Sequence, residues 1–184
     1  MGKRTVHIIS SARLNRALLK VTGELRSHGL WDARLRNVPI ILVPAGIAYG
    51  WHRYGGNGEI CIPRVSLLKL HDFFTGSYTS LADVLRHEFG HAVADTHRGL
   101  FRSRQFTTAF GGCHESNVRS KYDPEIHISR YSTTNPSEDF AENFMCFIRR
   151  RGILSLKHST SAIRRKWRFI HALCRSIRCC SARW

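Results

Sequence analysis

Two histidines and a glutamate stand close together in this chain, in the pattern His87-Glu88-x-x-His91. On a helix, imidazoles at positions i and i+4 lie one turn apart on one face, close enough to bind a single metal ion. Glu88 is adjacent to both, where its carboxylate can take a proton from metal-bound water but is poorly placed to be a further ligand. Given the histidine and glutamate content, such a pattern arises by chance roughly 0.02 times. It therefore predicts a metal site with an adjacent base, rather than a polar helix face without function.

The residues around this pattern predict the helix that carries it. Ser80 is a candidate N-cap with Asp83 three residues later, the spacing of a capping box, and Gly99 is a plausible end. His87, Glu88, His91 and Asp95 fall on one helical face. The neighbouring face is apolar and consists of Leu81, Leu85, Phe89, Ala92 and Val93. We therefore expect a helix that packs its apolar face on a core.

A second segment predicts another helix, and it carries two glutamates. Asn135 and Pro136 form a good N-cap and N1 pair, and Glu138 occupies the third position of a capping box. Glu138 and Glu142 lie one turn apart on one face, and the helix is expected to end at Gly152. A hydrolytic zinc needs a third protein ligand, which Glu138 can supply, and Glu142 can then accept a hydrogen bond from a ligand imidazole. In the alternative, Glu138 only caps its helix and Glu142 is solvated.

Taken together, the two segments resemble the zinc peptidases of the gluzincin type. They are especially similar to the catalytic domain of anthrax lethal factor and to small bacterial zinc-peptidase-like proteins. The resemblance covers residues 58 to 148. It is carried by His87-Glu88-x-x-His91-Ala92-Val93-x-Asp95 and by Tyr131-x-x-x-Asn135-x-x-Glu138-x-Phe140-Ala141-Glu142-x-Phe144.

The resemblance implies a fold, a cofactor and a role for each site residue. The fold would be a zincin-like α+β domain with a small mixed or antiparallel sheet. One Zn²⁺ per chain would be bound by His87, His91 and Glu138. Glu88 would activate water, and Tyr131 would stabilise the oxyanion. In such folds a peptide substrate lies along a strand just before the metal helix, and Glu59, Ile60, Cys61 and Ile62 are the candidates for that edge strand.

His97 is the competing third ligand. It lies six residues after His91, the spacing of the H-E-x-x-H-x-x-G-x-x-H zinc peptidases called metzincins. That pattern needs a glycine at which the helix stops and turns sharply. Here the position is Ala94, a strong helix former, so the helix should continue and carry His97 away from the metal. The sequence therefore favours Glu138.

The remaining elements are predicted from periodicity and turn signals. Residues 11 to 28 form an amphipathic helix that ends near Gly29, and the apolar run Val38–Val43 is a buried strand. Glycines between 55 and 58 predict a hairpin with strands at 49–54 and 59–62, and residues 65–74 are a candidate helix. Residues 98–130 show no sustained period and are predicted to be loop-rich. Within them His114 and Glu115 are interpreted as an exposed pair rather than as metal ligands.

Length and charge predict one α+β domain at 1–152 followed by a basic C-terminal segment at 153–184, packed on the same domain. The net charge is +16, and the last 36 residues carry 11 of the 29 basic residues and no acidic ones. Trp167 and its helical neighbours suggest a helix whose basic face is solvated, binds nucleic acid, or lies on an anionic membrane. No signal peptide or membrane span is visible, and six cysteines without regular spacing suggest free thiols, so a cytoplasmic location is expected.

These observations predict a zinc-dependent peptidase that acts on a peptide or protein substrate. Glu88 would take a proton from water and pass it to the leaving amine. The alternative is a basic module that binds nucleic acid or protein and whose zinc site is structural or vestigial. Salt-dependent nucleic-acid binding without peptide turnover would distinguish that alternative from the peptidase.

Overall fold

A computed structural model of the chain describes residues 7–45, 50–54, 57–66 and 80–181. Within them the elements are β1 (His7–Ile8), α1 (Ser11–Ser27), α2 (Ala33–Arg36), β2 (Ile40–Ala45), β3 (Gly50–Tyr54), β4 (Asn57–Ser66), α3 (Leu81–Thr96), α4 (Arg98–Phe101), α5 (Arg104–Phe110), α6 (Pro136–Arg149) and α7 (Ser161–Ser181). Two short 3-10 helices lie at Tyr131–Thr133 and Leu156–His158. Most of the candidate helix at 65–74 lies outside the described residues.

The sheet has four strands with β4 at its centre, so the predicted α+β class with a small mixed sheet is confirmed. β2 pairs parallel with β4, whereas β3 and β1 pair antiparallel with the beginning and the end of β4. The predicted hairpin is found as β3 and β4. The predicted helix at 11–28 is found as α1, whose buried side chains are Leu14, Val21 and Leu25.

The prediction that Glu59, Ile60, Cys61 and Ile62 form an edge strand is wrong. Ile60 pairs with Ile40 of β2 on one side and with Trp51 of β3 on the other. Ile60 and Ile62 are fully buried and Cys61 is nearly so, as in a strand covered on both faces. An uninterrupted apolar run marks such a central strand, whereas an edge strand with one solvated face tends to alternate. β3 pairs only with β4 among the described strands, so β3 is an edge strand, as are β1 and β2.

The predicted helix around His87 and His91 is confirmed as α3. Ser80 caps it by accepting a hydrogen bond from the backbone N–H of Asp83, at 3.3 Å. The helix runs without a break through Ala94 and ends at Thr96, three residues before the predicted stop at Gly99. Because the helix continues through Ala94, as predicted, His97 does not take the position of a metzincin ligand.

A glycine lets α3 and α6 approach closely. A Cβ atom on Gly90 would lie 3.2 Å from the Cα of Ala141 and 3.3 Å from Cδ1 of Phe144. Both contacts are tighter than most Cβ contacts in proteins, so an alanine at this position would make Ala141 and Phe144 shift by a few tenths of an ångström. The absence of a side chain at Gly90 therefore lets the middle of α6 pack closely on α3.

A buried guanidinium joins α1 to α3. Arg86 is almost completely buried and donates to both carboxylate oxygens of Glu24, at 2.7 and 2.8 Å, and to Asp83 at 2.6 Å. A buried charge is tolerated when it is paired and hydrogen-bonded in this way. Asp83 also accepts from Arg149 of α6, at 3.3 Å. The network thereby ties three helices together one turn before His87.

Two short helices occupy part of the segment that was predicted to be loop-rich. Ser103 caps α5 by accepting from the N–H of Phe106, and Gly111 ends it with a φ of 77°, a conformation that favours glycine. Elements of four and seven residues are too short to produce a readable apolar period. Residues 111–130 are irregular, as predicted.

The C-terminal helix α7 is part of the same core as α3 and α6. Its buried apolar side chains are Ile163, Trp167, Phe169, Ile170, Leu173, Cys174 and Ile177. The ring of Trp167 lies 5.2 Å from that of Phe147. Lys166 is also buried and pairs with Asp139 of α6. The exposed side carries what we call the arginine face, formed by Arg164, Arg165, Arg168 and Arg175.

Replacing Trp167 tests whether α7 is part of the core. Trp167→Ala removes a large side chain from a packed interior, so we expect the free energy of unfolding to fall by about 3–5 kcal/mol. Urea denaturation measures this difference. Arg168→Ala, exposed on the same helix, is the control and should change the value by less than about 0.5 kcal/mol. A Trp167→Ala protein as stable as the control would show that the tail is not core.

Among the described residues, no helix combines the length and the apolar character that crossing a membrane requires. The five cysteines whose side chains are described, at positions 61, 113, 146, 174 and 179, are free thiols. Burial raises the pKa of Cys146 to about 11 and that of Cys174 to about 12. These two thiols therefore stay protonated and unreactive at neutral pH.

Candidate metal centre

Three side chains from α3 and α6 bring their donor atoms to one point. Nε2 of His87 lies 3.1 Å from Nε2 of His91 and 3.1 Å from Oε2 of Glu138. Nε2 of His91 lies 3.3 Å from the same Oε2. Zinc–ligand bonds of about 2.0–2.1 Å place the corners of a tetrahedron about 3.3–3.4 Å apart. The triangle thus has nearly the size that three ligands of one zinc ion require.

Hydrogen bonds outside the triangle orient both imidazoles. Nδ1 of His87 lies 3.1 Å from Oε1 of the fully buried Glu142, a carboxylate that can only accept. A neutral His87 that donates from Nδ1 has a bare lone pair on Nε2. Nδ1 of His91 similarly faces Oγ of Ser137, at 3.2 Å. When both imidazoles are neutral and donate from Nδ1, two lone pairs and a carboxylate oxygen converge, an arrangement that can hold either a proton or a metal ion.

The charges of the site favour a cation. Burial lowers the pKa of His87, but hydrogen bonds to Glu138 and Glu142 outweigh burial and raise the pKa to about 10. Burial raises the pKa of Glu138, but the charge of His91 and the hydrogen bond to His87 hold that pKa well below its usual range. The carboxylates that attract a proton to His87 attract a metal ion to the same place. The residues present therefore fit a metal ion.

Glu88 lies beside the triangle and is held by the edge strand. It is almost completely buried, and its Oε2 accepts a hydrogen bond of 2.7 Å from the backbone N–H of Trp51 in β3. This bond fixes one carboxylate oxygen. The contact also brings the outer edge of β3 against α3, and Gly50, Trp51 and His52 line the same cavity as Glu88.

Tyr131 lies in the 3-10 helix just before α6, with its ring centroid 5.9 Å from that of His87. Burial and the negative charges of Glu138 and Glu88 raise the pKa of the phenol well above its usual value. Tyr131 therefore remains protonated at neutral pH and can donate a hydrogen bond into the cavity.

Five of the predicted site residues, His87, Glu88, His91, Tyr131 and Glu138, line one cavity of about 550 Å³, whereas Glu142 does not line it. Its walls come from β3, α3, the start of α6 and residues 114–117. Asp95, predicted to share the face of the histidines, does line the cavity and forms an ion pair with Arg98. A pocket of this size can hold several residues of an extended chain or one small molecule.

Three predicted candidates lie elsewhere or play no part in the triangle. His97 is the C-cap of α3, and its Nε2 lies 3.0 Å from Asp32, so His97 does not join the other two histidines. The strand residues 59–62 do not line the cavity, because β3 lies between them and the opening. Glu115 is exposed beside Arg102, as predicted for a loop residue.

The prediction that His114 is exposed is wrong. It is half-buried in the cavity rather than exposed, and its Nε2 lies 3.1 Å from Oγ of Ser137. Burial and the charge of His91 lower the pKa of His114 to about 4, so the ring is neutral at neutral pH. Ser137 and Trp51 were also not predicted. Ser137 adjoins Glu138, which is the only signal that could have singled it out.

The site combines three convergent metal-binding atoms, a held carboxylate and a phenolic donor. No protein-family model, curated protein or solved structure matches this chain. Function is therefore inferred from the chemistry of these residues.

Proposed function

We propose that this protein is a zinc-dependent peptidase of the gluzincin type. The observation that carries the proposal is the triangle of His87, His91 and Glu138, whose edges match a tetrahedral zinc site, with Glu88 directly beside it. Two imidazoles and a carboxylate leave a fourth position open, as catalytic zinc sites do. A purely structural zinc site would more often be closed by four protein ligands.

The residues of the site divide the chemistry among them. When bound, zinc supplies a Lewis acid that polarises the scissile carbonyl and acidifies water. Glu88 takes the proton from the attacking water and passes it to the leaving amine. Tyr131 donates a hydrogen bond to the oxyanion that develops on the carbonyl. Glu142 accepts from Nδ1 of His87 and keeps Nε2 turned to the ion.

We also propose β3 as the strand along which the peptide substrate lies, in place of residues 59–62. β3 pairs with β4 through one edge, and its other edge faces the cavity beside Glu88. Extended peptides bind such edges by adding a strand. Because Glu88 already accepts from the N–H of Trp51, the other backbone groups of this edge would hold the peptide over Glu88 and the metal ligands.

Metal analysis combined with unbiased cleavage of a peptide library tests the proposed function. We expect about one zinc per chain and cleavage that a chelator abolishes and added zinc restores. A protein that holds zinc but cleaves no library peptide would contradict the proposal. Such a result, together with nucleic-acid binding that weakens steeply with salt, would identify the basic binding module instead.

One observation supports that second candidate. A groove of about 540 Å³ lies between α5 and α7. It is lined by Arg165 and Arg168 of the arginine face and by Arg104 of α5. Arginine binds phosphate through two parallel hydrogen bonds, so this groove is suited to a nucleic acid or an anionic surface. It lies apart from the metal centre and shares no lining residue with the metal cavity.

Tyr131→Phe tests the oxyanion donor. The substitution keeps the ring and removes only the hydroxyl, so we expect kcat to fall about 10²–10³-fold while zinc content stays unchanged. Steady-state kinetics on a cleaved library peptide measure this loss. Tyr122→Phe, whose ring lies against His127 instead, is the control and should keep the wild-type rate. Equal rates for the two variants would remove Tyr131 from the mechanism.

A further inference from the structure

We infer that Ser137 and His114 act as a hydrogen-bonded pair that holds the imidazole of His91 in the tautomer and orientation required of a metal ligand. Nothing in the sequence pattern assigns a role to either residue. The inference rests on the proposed function only in that a metal ion binds at His91. Ser137 and His114 are thus positioning residues, which act through His91 and are not themselves among the three converging metal-binding groups.

The distances define the pair. Oγ of Ser137 lies 3.2 Å from Nδ1 of His91 and 3.1 Å from Nε2 of His114. A serine hydroxyl has one donor proton and two acceptor lone pairs. It can therefore accept from Nδ1–H of His91 and donate to Nε2 of His114 at the same time. This direction leaves Nε2 of His91 with a bare lone pair that points at the triangle.

The opposite direction no longer fixes the tautomer of His91. If His114 donated from Nε2 to Ser137, the serine proton would be free to go to Nδ1 of His91, and Nε2 of His91 would then carry the hydrogen. Nε2 could then bind no ion. His87 has no such ambiguity, because the carboxylate of Glu142 can only accept. For His91, the acceptor nitrogen of His114 fixes the tautomer through Ser137, as the carboxylate of Glu142 does for His87.

The fold holds both members of the pair in place. Ser137 is the second residue of α6 and adjoins Glu138, so one turn of helix supplies a metal ligand and the partner of another ligand. The ring of His114 stands edge-on to those of Phe101 and Phe106, with centroids 5.3 and 5.5 Å away. These contacts limit rotation of the imidazole and keep its Nε2 aimed at Ser137.

Ser137→Ala is the direct test. Removing a partner of this kind raises the dissociation constant of zinc by about 10–100-fold, which competition with a chromophoric chelator measures on the full chain. Ser137→Thr restores a hydroxyl at the same position and should recover most of the affinity. His114→Phe keeps an aromatic ring in the packing but removes the acceptor, and should weaken zinc binding in the same direction.

The control is Ser116→Ala. Ser116 lines the same cavity, but its hydroxyl donates to the backbone carbonyl of Cys113, at 2.8 Å, so zinc affinity should not change. The melting temperature of each metal-free variant is measured alongside. A positioning role leaves that temperature at the wild-type value, because neither hydrogen bond spans otherwise unconnected elements of the core.

Two results would overturn the inference. One is a Ser137→Ala protein that binds zinc as tightly as the Ser116→Ala control. The other is a metal-free Ser137→Ala protein that melts several degrees early and is not rescued by threonine, which would make the role structural. Because zinc affinity is measured without turnover, a protein that binds zinc but cleaves nothing would refute the proposed peptidase and leave this comparison valid.

Discussion

Glu88→Gln is expected to abolish nearly all peptide hydrolysis while the protein keeps its fold and its zinc. A positioned general base contributes about 10²–10⁴-fold to the rate, and the amide of glutamine cannot take up the proton. The substitution preserves the size of the side chain, and its amide oxygen can still accept the 2.7 Å hydrogen bond from Trp51. None of the three converging metal-binding atoms belongs to Glu88.

Three measurements on the Glu88→Gln protein separate catalysis from binding. Zinc content and the free energy of unfolding should equal the wild-type values, whereas kcat/KM should fall. Glu125→Gln, an exposed change remote from the cavity, is the matched control and should leave the rate intact. A Glu88→Gln protein with half of the wild-type rate would show that Glu88 is not the base.

Glu138→Ala removes one of the three proposed zinc ligands. Loss of a hydrogen-bonding partner outside the ligand set weakens metal binding by about 10–100-fold, and we expect the loss of a ligand to raise the dissociation constant of zinc by more than that. His97→Ala is the matched comparison, since the sequence offers His97 as the competing ligand. His97 contacts Asp32 at the end of α3, and we expect its removal to leave zinc affinity nearly unchanged.

Chelator competition on the two variants decides between the ligands. The His97→Ala protein is also checked for folding, because it loses the contact between His97 and Asp32, at 3.0 Å, that joins α3 to the start of α2. Tight zinc binding by Glu138→Ala, with loss of zinc from His97→Ala, would contradict the proposed ligand set and move the protein to the metzincin arrangement.

The two helices that hold the metal-site residues could be predicted from the sequence because the patterns that define them are local. Ser80 and Asn135 cap α3 and α6 as predicted, each by accepting a hydrogen bond from an N–H three residues later. The spacing of His87 and His91 alone puts both imidazoles on one face. Ala94 alone predicted that the helix would continue and exclude His97. Each of these inferences needs only interactions within about one turn of helix.

The predicted capping box at Asn135 is an example of what a local pattern cannot predict, namely the direction in which the side chain of Glu138 turns. Asn135 does cap the helix, but the carboxylate of Glu138 turns to the histidines of α3, 3.1 and 3.3 Å away. A helix end and a metal site compete for the same side chain, and only the approach of α6 to α3 decides between them. That approach depends on Gly90 fitting against Ala141, a contact between residues 51 positions apart.

Sheet order, the edge strand and the surroundings of His91 were decided by tertiary structure alone. The run at 59–62 indicates a strand, but which strands flank it depends on pairings with β2 and β3 that no local pattern specifies. The hydrogen bonds from Trp51 to Glu88 and between Ser137 and His114 likewise join residues 37 and 23 positions apart. Periodicity and capping depend on interactions within a single helix or strand. The contacts named here depend instead on how several elements pack together, and packing requires complementary shapes from residues far apart in the chain.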